Sequence, residues 1–159
     1  MSHARKEYSD FQALAPDAYE GVIALGGFAA RSGIEKPLLE LIKLRASQIN
    51  GCAFCVQYHI LQAERLGVPV DKLNLVVVWR EVPQFSPRER AALAWTEALT
   101  LVTAGVSDEV YDQARAEFSD KELTYLTSAI ASINVWNRFG VAYRWSPAAR
   151  QGQVSAKAS

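Results

Sequence analysis

The sequence predicts an all-α protein, and three observations carry that prediction. Apolar residues return at three- and four-residue spacing along most of the chain. Helix-start signatures recur, with a proline or a capping box at the head of several runs. The one stretch that is β-branched enough for a strand, Leu73 to Trp79, has no second strand nearby to pair with, and it is read as helix.

The elements follow in order. Tyr8 to Leu14 carries aromatics up to a stop at Pro16, which suits a short helix or a docking arm. Pro16-Asp17-Ala18 opens a second helix to about Arg31, with Tyr19, Val22, Ile23, Leu25 and Phe28 on its apolar side. Gly26-Gly27 inside it costs roughly 1 kcal/mol per glycine relative to alanine, so a close helix crossing or a bend is expected there. The third helix runs from about Pro37 to Asn50, with Leu38, Leu41, Ile42, Arg45 and Ile49 on one side and Glu40 and Leu44 flanking it. Gly51 ends it, and Cys52, Cys55, Val56, Ile60, Ala63 and Leu66 trace a fourth helix that Gly67 stops. Pro69-Val70-Asp71-Lys72 starts a fifth. Ser86-Pro87-Arg88-Glu89 is a capping box that launches a helix through Ala91 to Thr103, ended near Gly105. Ser107-Asp108-Glu109 opens a short helix to about Phe118. A second capping box, Ser119 to Glu122, starts a long helix to about Tyr143.

The 159 residues, half of them apolar, are enough to bury a core and read as one domain over residues 1–146. The small, polar tail over residues 147–159 is expected to be disordered. Lys plus Arg and Asp plus Glu both number 17, so the formal charge is zero and nothing points to nucleic acid or to an acidic membrane surface. No apolar run approaches the roughly 20 residues of a membrane span, and the N-terminus lacks the apolar core of a signal peptide. A soluble, cytoplasmic protein is expected. In such a reducing compartment a C-x-x-C pair is redox-active or metal-binding rather than a structural staple.

The reactive residues crowd into Asn50 to His59, which holds both cysteines and one of the two histidines. At 3.6 residues per turn Cys52, Cys55 and His59 share one narrow sector at a helix start. There the unpaired N–H groups and the helix dipole favour a thiolate. Moving a thiol from about 8.5 to a majority thiolate at neutral pH takes about 2.7 kcal/mol, of which the helix start supplies part and His59 more. Glu40, read by itself, is a glutamate on a solvated face. An antiparallel pair of helices about Gly51 would nevertheless bring it toward His59. Three other readings of the pair stay open on residues alone: inert buried thiols, a zinc site of Cys52, Cys55, His59 and a carboxylate that lacks a second ligand pair, and a thioredoxin-type motif that lacks its preceding strand.

The spacing E-x11-C-x2-C-x3-H resembles the core motif of the AhpD-like alkylhydroperoxidases within the carboxymuconolactone decarboxylase superfamily. The likeness extends through Ile49-Asn50-Gly51-Cys52, Trp79-Arg80, Phe85 to Leu93 and Ile133 to Arg138, and covers about Phe11 to Trp145. The resemblance implies an AhpD-like helical fold assembled as trimers or hexamers. By position it implies Cys55 as peroxidatic thiol, Cys52 as resolving thiol, and Glu40 with His59 as proton relay. It also implies a hydroperoxide substrate, an external dithiol or a thioredoxin-like or lipoyl reductant, and no cofactor or metal. Helix-terminus electrostatics alone would instead favour Cys52 as the more acidic thiol. One departure stands out, since well-studied members carry a histidine just before the second cysteine and this chain has Phe54. The decarboxylase branch lacks the cysteine pair, which argues against that chemistry here. A redox-responsive or metal-binding protein without turnover, and a related lyase, are the alternatives. Tyr58, Trp136, Asn137 and Arg138 are candidate pocket residues, with core packing the commoner fate for such side chains.

Overall fold

The structure is a computed structural model that describes residues 4–29 and 31–147; the tail expected to be disordered lies, beyond Pro147, outside the described residues. All the regular elements among those residues are helical, in the order α1 (Tyr8–Leu14), α2 (Pro16–Ala29), α3 (Lys36–Asn50), α4 (Ala53–Arg65), α5 (Val70–Leu75), α6 (Pro87–Thr100), α7 (Asp108–Glu117) and α8 (Asp120–Tyr143). The strand-like stretch divides into the end of α5 and a tighter 3-10 segment, Val76–Glu81, that buries Trp79. The helix predicted to reach Thr103 stops at Thr100, and a short 3-10 turn, Val102–Ala104, follows it.

α3 is the centre of the fold. Its sequence reads as one apolar stripe, yet Leu38, Leu39, Glu40, Leu41, Ile42, Leu44, Ala46 and Ser47 are all buried. The reason is that α4, α6 and α8 each pack against it, so the helix is enclosed from several sides and has little free polar face. One core layer gathers Leu39 and Ile42 with residues of α6, α7 and α8, and a second gathers Leu41 and Leu44 with α4, α5 and the 3-10 segment. A third, smaller layer holds Ala46, Cys52, Cys55 and Ile133.

Three devices hold the α3–α4 hairpin in register. Gly51 takes the left-handed conformation (φ 69°, ψ 29°) that the turn demands and glycine supplies without strain. The following amide, Cys52 N–H, donates back to the Ser47 carbonyl at 3.1 Å, which satisfies the open end of α3. Side chains then lock the turn to α8: Asn50 Nδ2 donates to Asn134 Oδ1 and Asn137 Oδ1, both at 2.9 Å, and Asn137 Nδ2 donates to Ser47 Oγ at 3.0 Å.

Both capping boxes form as the sequence predicts, at Ser86 with Glu89 and at Ser119 with Glu122. Of the glycine pair in α2, Gly26 marks the expected crossing: a Cβ there would stand 2.9 Å from Ser132 Oγ on α8, whereas Gly27 has nothing within 4 Å. The N-terminal arm is tied down at the far end of α8. Glu7 accepts hydrogen bonds from Ser146 N–H and Oγ at 3.1 and 3.0 Å, and Phe11 stacks on Phe139 with ring centroids 4.2 Å apart.

Asn137 is 1% exposed and links both arms of this scaffold. Asn137→Ala removes an acceptor from Asn50 and a donor from buried Ser47, so a loss of about 1–3 kcal/mol is expected, read from the midpoint of chemical denaturation.

Candidate active site

The hairpin brings Glu40 and His59 together. Glu40 Oε2 and His59 Nδ1 are 2.7 Å apart, and both side chains are buried. The solvated-face reading of Glu40 is therefore corrected: positions on opposite arms of a tight helical hairpin face each other, and packing around α3 buries the Glu40 side chain. Its second oxygen, Oε1, accepts from Lys43 Nζ at 2.8 Å.

The protonation states follow from these partners. Burial pushes the Glu40 carboxyl up, but the hydrogen bond to His59 and the Lys43 ammonium outweigh it and hold the group below its usual range. Burial pushes His59 down, and the opposing pull of Glu40 does not restore it, so the imidazole is neutral near pH 7. An ionised carboxylate can only accept, so the His59 proton sits on Nδ1 and the Nε2 lone pair is free to take another.

The sulfurs lie at the head of α4. Cys52 is its N-cap, outside the helix proper, and its Sγ accepts the Cys55 N–H at 3.3 Å. The two cysteines are joined as a disulfide, with Cα atoms 5.3 Å apart. They are not equivalent. Cys55 opens with His59 onto a cavity of about 240 Å³, and Cys52 is absent from its lining. Behind the pair stands Gly140 of α8, where a Cβ would overlap Cys52 Sγ and come within 3.4 Å of Cys55 Sγ. The expected single stripe of Cys52, Cys55 and His59 is thus divided, since the capping position turns Cys52 toward α8.

The cavity is walled by aromatic rings: Tyr8, Phe54, Tyr58, Trp136 and Trp145 line it, with Val22, Ile23 and Ile133. Phe54 stacks on Tyr8 at 5.1 Å and meets the edge of Trp145 at 5.6 Å. The phenols are pushed up, Tyr8 by burial and the neighbouring Tyr19 hydroxyl, and Tyr58 by burial and the Glu40 charge, so both stay neutral. Tyr58 and Trp136 therefore belong to the pocket. Asn137 belongs to the scaffold, and Arg138 Nη1 donates to the Asn134 carbonyl of its own helix at 2.8 Å. Sequence reasoning missed Tyr8, Lys43, Trp145 and Gly140. Lys43 stands three residues after Glu40 and Gly140 interrupts a long helix, so both left a readable signal. Tyr8 and Trp145 left none, because they arrive from opposite ends of the chain.

Residues 16–98 match the carboxymuconolactone decarboxylase family profile. The chain belongs to the carboxymuconolactone decarboxylase family. Within it the helical fold and the C-x-x-C pair mark an AhpD-like member. An uncharacterized Bacillus subtilis protein, YdfG, is 34% identical over 130 residues, 81% of this chain and 88% of its own. A crystal structure from Agrobacterium tumefaciens, of a protein of unknown function with a suggested assignment as the antioxidant defence protein AhpD, has a TM-score of 0.85 at 40% identity. It matches 93% of this chain and 100% of its own. The debrominase Bmp8 shares the fold at a TM-score of 0.78 and 22% identity, over 87% of this chain and 75% of that one. Among the described residues no helix is long and apolar enough to cross a membrane.

Two measurements test this geometry. Lys43→Gln removes a positive charge that works against the imidazolium, so the His59 titration should move up, read by NMR of the imidazole; an unmoved titration excludes Lys43 from the electrostatics. Gly140→Ala crowds both sulfurs, so in a glutathione redox buffer the pair should shift toward the dithiol, counted by alkylation and mass spectrometry.

Proposed function

We propose that the protein is a thiol-dependent peroxidase that reduces hydroperoxides through a Cys52/Cys55 dithiol–disulfide cycle. The observation that carries the reading is the joint opening of Cys55 and His59 onto one apolar cavity, with His59 backed by ionised Glu40 and Cys52 bonded behind Cys55. Family membership and the AhpD-like fold support it.

In the reduced protein His59 Nε2 takes the Cys55 proton, and Glu40 steadies the resulting imidazolium. The thiolate attacks the terminal peroxide oxygen. The O–O bond breaks, Cys55 becomes a sulfenic acid, and the departing alkoxide receives the proton from His59 as an alcohol. Cys52 then attacks the sulfenic sulfur and expels water, forming the disulfide. An external dithiol, of thioredoxin-like or lipoyl type, restores both thiols and is itself oxidised. Access explains why Cys55 is the nucleophile although Cys52 sits nearer the helix end: a peroxide in the cavity meets Cys55 first. Phe54 removes the second imidazole of relatives, so the relay runs from Glu40 to His59 alone.

We assign the protein to the cytoplasm on the strength of its thiol chemistry, and to a homo-oligomer, a trimer or hexamer. Exposed Leu101, Val102 and Val77 are apolar side chains of the kind subunit contacts cover.

Cumene hydroperoxide should convert the two free thiols of the reduced protein into one intramolecular disulfide. Cys55→Ser should abolish turnover with a dithiol, and His59→Ala should slow it by about 10²–10⁴-fold. Because burial holds His59 below its usual value, it stays a base at acidic pH, and the acid limb of kcat/KM should fall below about 6.5. Two free thiols remaining after peroxide treatment would overturn the reading.

A further inference from the structure

On the other side of the Glu40–His59 hydrogen bond lies a second cavity, of about 270 Å³. His59 lines the first cavity and Glu40 the second, so the 2.7 Å bond between them is part of the dividing wall. The two spaces meet at Gly26 and Lys43, which line both. Gly26 brings only a hydrogen to that junction.

The second cavity is cationic. Lys36, Lys43 and Arg65 line it, and among the described residues the only acid in its wall is Glu40, whose two oxygens are already engaged by His59 and Lys43. Among the described residues Lys43 is bonded to Glu40, whereas the side chains of Lys36 and Arg65 are exposed and form no side-chain hydrogen bond or salt bridge there; Arg65 acts on Tyr58 only through its charge. Lys36 is also the first residue of the 15-residue α3, whose open N–H groups add positive potential at that end. The chain carries no net charge, so this gathering of three cations around one acid is local.

Size points the same way. Each cavity alone is below the roughly 300 Å³ at which small-molecule pockets begin, and only the two together reach that range. Hydrogen peroxide would leave the aromatic walls of the first largely unused. We propose that the substrate is an amphipathic hydroperoxide: an apolar body in the aromatic cavity beside Cys55, and a carboxylate held across the wall by Lys36 and Arg65. The substrate class rests on the peroxidase reading above, whereas the carboxylate subsite does not. The guanidinium of Arg65 matches a carboxylate in a two-pronged contact, and the Lys36 ammonium adds a point charge.

The test uses the full chain and two probes that cannot turn over, decanoate and decan-1-ol, followed by the fluorescence of Trp136 and Trp145 in the first cavity. Decanoate should bind about tenfold more tightly than the alcohol, with an advantage that shrinks as salt is raised. The double variant Lys36→Gln/Arg65→Gln changes two exposed side chains outside the proposed catalytic set. It should abolish the preference and leave decanol binding unchanged, and Lys36→Arg should retain it. With hydroperoxides, the double variant should raise KM for linoleate hydroperoxide about tenfold and leave kcat/KM for cumene hydroperoxide unchanged. Equal affinity for the two probes, or equal loss of both in the variant, overturns the subsite. Failure of every hydroperoxide to oxidise Cys55 overturns the peroxidase reading instead, and the decanoate comparison still decides the subsite.

Discussion

The site depends on one buried hydrogen bond between two helices. Removing a carboxylate from water is costly, and an isolated glutamate at Glu40 would protonate rather than stay charged. Here the Lys43 ammonium and the Nδ1–H of His59 occupy both of its oxygens, so the charge survives burial. The consequence passes along the ring. A carboxylate that can only accept fixes the imidazole proton on Nδ1, leaves Nε2 as a base, and provides a counter-charge for the imidazolium that forms when a proton arrives. Burial keeps that imidazolium from being the resting state.

Around this bond the fold makes two equivalent residues unequal. Cys52 and Cys55 are identical in chemistry and three positions apart, yet one caps the helix against Gly140 and the other opens onto the cavity. Dipole arguments rank the thiols by distance from the helix end, but access to a reactant is a separate condition, and the packing of α8 decides it. The absence of a side chain at Gly140 lets the two sulfurs pack directly against α8.

The aromatic wall is built around the residue just before Cys55. The ring of Phe54 joins Tyr8, Tyr58 and Trp145 in an apolar lining. Tyr8 comes from an arm that is itself anchored to Ser146 through Glu7, so the segments around Glu7 and Ser146 together place Tyr8 and Trp145 in the cavity wall. The proton-handling groups stand at one side of the pocket and rings on the rest, and Lys43 bridges toward the cationic space beyond.

Local signals in the sequence determined the helical class, the order of the elements, both capping boxes, the glycine turn before the cysteines and the placing of Cys55 and His59 on one face at a helix start, whereas the stripe expected to include Cys52 is divided. These are short-range consequences of backbone hydrogen bonding, chain stiffness and 3.6-residue periodicity, all readable within a few positions. The tertiary structure alone decided that α3 is enclosed, that Glu40 is buried against His59, that Cys55 rather than Cys52 faces the cavity, and that Tyr8 and Trp145 share its wall. Each of those depends on which helices pack side by side: Glu40 and His59 are 19 positions apart and Tyr8 meets Trp145 from near the opposite end of the chain, so side-chain contact there follows from tertiary packing rather than from local periodicity.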